Sequence, residues 1–169
     1  MTSARSLRRD VATVAGLLFG MAAFTCLAVC AVGLSRDVRH ALALNVGGHR
    51  RPIADAIPIA VNNVRVTVTA LGGSVIVARF PRARPVLDVA LVAVLAINAA
   101  LLGAAIGAYG GPLLEDLAWH GPLEVSGFAI AGAAYLDARR RASIRWQRLG
   151  SCIALSWTFL LAAAVLELV

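Results

Sequence analysis

The sequence predicts an all-α protein, a polytopic membrane helix bundle with about five transmembrane helices. Three observations carry that prediction. Of the 169 residues, 60% are hydrophobic, and the mean hydropathy is +0.80. Only 15% are charged, well short of the roughly 25% usual in soluble domains. The apolar residues also fall in five runs, each near the ~20 residues that cross a ~30 Å hydrocarbon core as a helix. The runs span residues 11–34, 57–77, 86–109, 113–136 and 149–169.

The first run follows RSLRR, the flank of a signal peptide, but its 24 residues exceed the ~7–15 of a signal core, so a retained helix is expected. LAVC at 27–30 matches a lipoprotein cleavage box only loosely, because Val29 is bulky. The segment 35–56 has no room for a domain, and a surface helix is expected at DVRHALAL, with Val38, Ala41, Leu42 and Leu44 on one side. In the fourth run Gly121-Pro122 interrupts the apolar pattern. Proline is best tolerated in a helix's first turn, so this span is expected to begin near His120, with residues 110–119 as a loop or short surface helix. The whole chain reads as one integral membrane domain, 1–169.

All 16 basic residues are arginine and the net charge is +7. They lie in short clusters between the apolar runs, where positive charge reports membrane orientation, so no nucleic-acid partner is expected. A cytoplasmic N-terminus puts Arg5, Arg8, Arg9, Arg79, Arg82, Arg84, Arg139, Arg140, Arg141, Arg145 and Arg148 inside. Only Arg36, Arg39, Arg50 and Arg51 then lie outside. That asymmetry predicts the N-terminus cytoplasmic and the C-terminus outside. Cys26, Cys30 and Cys152 sit within apolar runs without a CxxC motif, as packing residues.

Polar side chains inside the runs are few: Asn62, Asn63, Arg65, Asn98, His120 and Glu124, with Glu167 near the end. An ionisable group at mid-membrane costs ~2.5–3.5 kcal/mol, so these are expected to face protein or water and to be paired. His120 and Glu124, at i and i+4, share one helix face. Arg65 and Glu124 fall at similar depth, and a bidentate pair between them, with His120 or Asn98 next in the network, would satisfy both charges. The alternative is that Arg65 snorkels to the headgroups and Glu124 caps its own helix. The cluster as a whole reads either as a polar clamp between helices or as a substrate path.

Gly16 with Gly20 and Gly103 with Gly107 form small-xxx-small patterns that invite close helix contact, within the chain or in a homo-oligomer. Gly121 and Gly132 join Gly103 and Gly107 as expected packing positions. No metal site is expected: His40 and His49 lie in the first loop, and HExxH is absent. No P-loop, GxGxxG or GxSxG occurs, so neither a cofactor nor catalytic activity is expected.

Three segments together carry a family resemblance: NNVRVTVTALGG at 62–73, LAINAALLGAAIGAYG at 95–110, and HGPLEVSGFAIAGAAYL at 120–136. On these the chain resembles the stage II sporulation protein M family of bacterial integral membrane proteins, over roughly its C-terminal two thirds. The glutamate of AAAVLELV at 162–169 fits the same pattern. Asn62, Asn63, Asn98, Gly103, His120, Gly121 and Glu124 carry over to the family motif. Pro122, Tyr135 and Asp137 depart from it. The resemblance implies a non-enzymatic scaffold in the bacterial cytoplasmic membrane that works with cell-wall remodelling proteins. The runner-up from the polar residues is a transporter or permease subunit with a pocket near the midplane.

Overall fold

The computed structural model describes residues 2–42 and 53–168, with side chains at 6–42 and 61–166. Among the described residues six α-helices form an all-α bundle: α1 (Thr2–Val32), α2 (Ser35–Leu42), α3 (Ile53–Arg79), α4 (Arg84–Tyr109), α5 (Gly111–Arg141) and α6 (Trp146–Leu168). A 3₁₀ turn, Pro81–Ala83, joins α3 to α4. Four helices, α1, α3, α4 and α6, are long and apolar enough to cross a membrane, which makes the chain a multi-pass membrane protein by length and composition. The expected loop helix is α2, which packs on α4. Leu44, His49, Arg50 and Arg51 lie outside the described residues.

Local chemistry explains the breaks. Gly33, with φ of 75°, turns the chain out of α1 where a side chain would be strained. Gly110, with φ of 67°, separates α4 from α5, and its N–H closes the last turn on the Ile106 carbonyl at 2.8 Å. Pro81 and Pro85 open the turn and α4 at first-turn positions that need no donor.

Helix α5 departs from expectation. It runs unbroken from Gly111 to Arg141 with Pro122 inside it, so residues 111–119 are helical and His120 does not begin the helix. Pro112 already occupies the first turn, and Pro122 leaves the Ala118 carbonyl without its usual intrahelical donor. Polar residues dilute α5 below the other four long helices in apolar character. It is nevertheless the centre of the bundle, packing on α1, α3, α4 and α6. A helix walled by protein need not present an apolar surface to lipid, because its neighbours do so.

Small residues let the neighbours approach. A Cβ at Gly103 would collide with the Ala22 backbone, and one at Gly107 would sit 2.8 Å from the Cys26 carbonyl. These two glycines seat α4 against α1. Gly132 faces Val14 on α1, and Gly127, which sequence reading passed over, faces Leu160 and the Ser156 carbonyl on α6. Gly121 differs from the expected helix contact, since a Cβ there meets only Leu117 of its own helix. Gly16 and Gly20 face open space. Two buried clusters result, one around Leu71, Val77, Ala131 and Tyr135, the other around Leu18, Val66, Ala99 and Phe128.

Candidate functional site: a polar cluster and cavity in the middle of the bundle

Helix α3 carries two adjacent amides into the bundle. Successive residues on a helix point ~100° apart, so Asn62 and Asn63 address different neighbours. Asn62 donates through Nδ2 to Oδ1 of Asn98 on α4, at 2.5 Å. Asn63 donates through Nδ2 to Oε1 of Glu124 on α5, at 2.7 Å. Asn98 in turn donates to the carbonyl of Val94, at 2.7 Å. The amides therefore tie α3 to both α4 and α5. Thr67, fully buried below them, donates back to the Asn63 carbonyl at 2.8 Å, which satisfies its hydroxyl without a partner helix.

Beside this cluster lies a cavity of about 310 Å³. Asn62, Asn63, Asn98 and Glu124 line it together with apolar residues of α1, α4 and α5, among them Leu18, Leu102 and Phe128. Asn98 stands fourteen residues from Arg84 and eleven from Tyr109, about 21 Å and about 16 Å from the two ends of its helix. The polar wall is thus close to the middle of the bundle.

The other expected members are placed differently. Arg65 is exposed, and no ion pair joins it to Glu124. The expected Arg65–Glu124 pair is replaced by Asn63–Glu124. Arg65 follows Asn63 by two residues, ~200° around the helix, so the helix rotation that turns Asn63 inward turns Arg65 out. His120 is buried, at 7% exposure, but it does not line the cavity and makes no hydrogen bond among the described residues. The expectation that Glu124 caps its own helix also fails, because α5 begins thirteen residues earlier, at Gly111. Among the described residues no three His, Cys, Asp or Glu side chains converge as a metal site. The side chain of Glu167 lies outside the described residues.

A second polar region, which sequence reading did not single out, closes one end of the bundle. Asp88 on α4 takes a bidentate contact from Arg139 on α5, at 2.7–3.0 Å, and a 2.8 Å hydrogen bond from the Tyr135 hydroxyl. Asp10 on α1 pairs with Arg140. Asp137 is shared by Arg141, at 2.9 Å, and by Arg148 of α6, at 3.0 Å. Burial alone would raise the Asp137 carboxyl, but the hydrogen bonds from Arg141 and Arg148 outweigh it and hold it below the usual 3.8. The arginines counted for orientation thus also pin α1, α4, α5 and α6 together. The sequence signal was present in Asp10, Asp88 and Asp137, each at the charged edge of an apolar run.

Compared with known proteins, the chain matches no protein-family model, no curated protein and no solved structure.

Proposed function

We propose that the chain is a non-enzymatic scaffold of a bacterial cytoplasmic membrane that recruits or positions cell-envelope remodelling partners. The observation that carries this reading is the convergence of three motif segments far apart in sequence. Asn62 and Asn63, Asn98, and Glu124 come from the three stretches that resemble the stage II sporulation protein M family, and they meet in one hydrogen-bonded cluster tying three helices. Their first use is to set how α3, α4 and α5 pack, which suits a protein that presents a fixed surface.

In this reading α5 is a fifth span shielded by the other four, with the N-terminus cytoplasmic and the C-terminus outside. Cysteine labelling from outside should then reach a probe at Arg50 and miss one at Arg141; the reverse pattern overturns the orientation. The scaffold role is tested by crosslinking in cells followed by mild-detergent purification. Peptidoglycan-remodelling enzymes should be enriched over an unrelated multi-pass control, and recovery no higher than that control rejects the role. The 310 Å³ cavity favours a second reading, a transport subunit, in which the polar wall forms part of a substrate path.

A further inference from the structure

We propose that the groove between α1 and α4 seats one acyl chain of an anionic phospholipid, whose phosphate is held at Arg139 and Arg140. This site rests neither on the scaffold reading nor on which way the chain faces across the membrane. It arises from how α1 and α4 part. Toward one end, Gly103 and Gly107 let α4 lie directly on the α1 backbone at Ala22 and Cys26. At the other end the two helices are tied to α5 instead, Asp10 of α1 by Arg140 and Asp88 of α4 by Arg139. Between these fixings an apolar groove of about 280 Å³ stands open.

One face of α5 supplies both its floor and its charged end. Gly132, Leu136, Arg139 and Arg140 follow at i, i+4, i+7 and i+8, so they share a helix face. Gly132 and Leu136 line the groove, and the arginines stand one turn beyond Leu136. The walls include Leu17, Met21 and Val92, which are 69%, 40% and 64% exposed. The groove thus opens sideways, toward the lipid around a membrane-spanning bundle.

The arginines keep donors to offer, because a guanidinium carries more N–H groups than one carboxylate takes up. Arg139 meets Asp88 through Nε and Nη2, which leaves Nη1. Arg140 meets Asp10 through Nη1 and Nη2, which leaves Nε. Neither makes another hydrogen bond among the described residues, and both side chains are half-exposed. Arg8, Arg9, Arg79 and Arg82 are exposed at the same end, so its field favours an anion. A narrow apolar groove that ends in cationic donors fits an amphiphile with an acidic head. A helix of a second copy, ~10–12 Å across with its side chains, is too broad for it, and a zwitterionic lipid offsets its own phosphate with an ammonium.

The test uses the full chain in mixed micelles with equal amounts of phosphatidylglycerol and phosphatidylcholine of the same acyl chains, and native mass spectrometry counts the lipids each chain retains. One phosphatidylglycerol per chain should be retained, about tenfold over phosphatidylcholine, the scale set by one or two arginines at a membrane surface. Val92→Trp, which fills the groove from an exposed wall, should reduce that retention about tenfold. Leu161→Trp, at a position of α6 that is 60% exposed and away from the groove, should leave it unchanged. Equal retention of the two lipids by the unmodified chain overturns the proposal. Undiminished retention in folded Val92→Trp also overturns it, by placing the lipid elsewhere, and so does an equal loss in both variants. Should Val92→Trp fail to fold, Leu17→Trp on the facing wall takes its place under the same criteria.

Discussion

The charged end and the middle of this bundle solve the same problem differently. At the end, Asp10, Asp88 and Asp137 each meet an arginine, and the space left beside Asp137 is only about 20 Å³. In the middle, three asparagines and Glu124 meet through neutral or singly charged bonds, beside a cavity of about 310 Å³. Ion pairs near a helix end can be strong and self-contained, with long arginine stems covering the apolar surface around them. Short asparagines reach a neighbour but cannot fill the space around it. The end is thus closely filled, whereas the middle leaves open space beside its bonds.

The largest expected effect lies at the charged end. Arg140→Ala leaves Asp10, whose side chain is 5% exposed, without its arginine. Breaking a buried pair typically costs 3–5 kcal/mol, and because Arg140 is itself 43% exposed, a loss of about 3 kcal/mol is expected. Unfolding in mixed micelles measures it, and a loss no greater than that of Arg82→Ala, at an exposed position, would break the contrast.

Packing sharpens the comparison next. Ala138→Leu inserts bulk beside the 20 Å³ space, and overpacking there is expected to cost about 1–3 kcal/mol. Ala99→Leu inserts the same bulk beside the large cavity, with room to turn into it, and is expected to cost under about 1 kcal/mol. Equal losses would mean that the cavity is not usable space.

Within the middle cluster the effects are smaller. Glu124→Ala removes the acceptor of Asn63, whereas Glu124→Gln keeps an oxygen in the same place. Interhelical hydrogen bonds in membranes average only ~0.6 kcal/mol, so Ala should lower the folded yield modestly and Gln less. Identical yields would argue that the Asn63–Glu124 bond contributes nothing to the tie between α3 and α5.

The smallest effect is on pH. Asp137 is held below 3.8 in the folded chain, so its contribution is fully present above that value and is lost as the pH falls through its folded pKa. Thermal unfolding between pH 6 and pH 3 should show this loss, and Asp137→Asn should flatten that part of the profile. An unchanged profile in Asp137→Asn would assign the acid sensitivity elsewhere.

Much of the bundle was legible in the sequence. The five apolar runs correspond to α1, α3, α4, α5 and α6, and DVRHALAL marks α2. Asn62, Asn63, Asn98 and Glu124 were also found as the polar residues of apolar runs, and the structure brings them to one cavity. Less legible was the role of proline. Pro122 reads as a helix start, yet α5 absorbs it in mid-helix because packing on four neighbours outweighs one missing backbone bond.

The sequence by itself determined where the helices lie and that they are apolar, because run length and hydropathy are properties of consecutive residues. It also determined which residues are polar at mid-depth, since depth follows from counting at ~1.5 Å per residue. Only the tertiary structure decided who meets whom. Contact depends on the rotation of each helix about its axis, and ~100° per residue is enough to send Asn62 to Asn98, Asn63 to Glu124 and Arg65 to the outside. No local pattern encodes that rotation. It is set by glycines such as Gly103 against Ala22 and by the aspartate–arginine pairs that lock the far end.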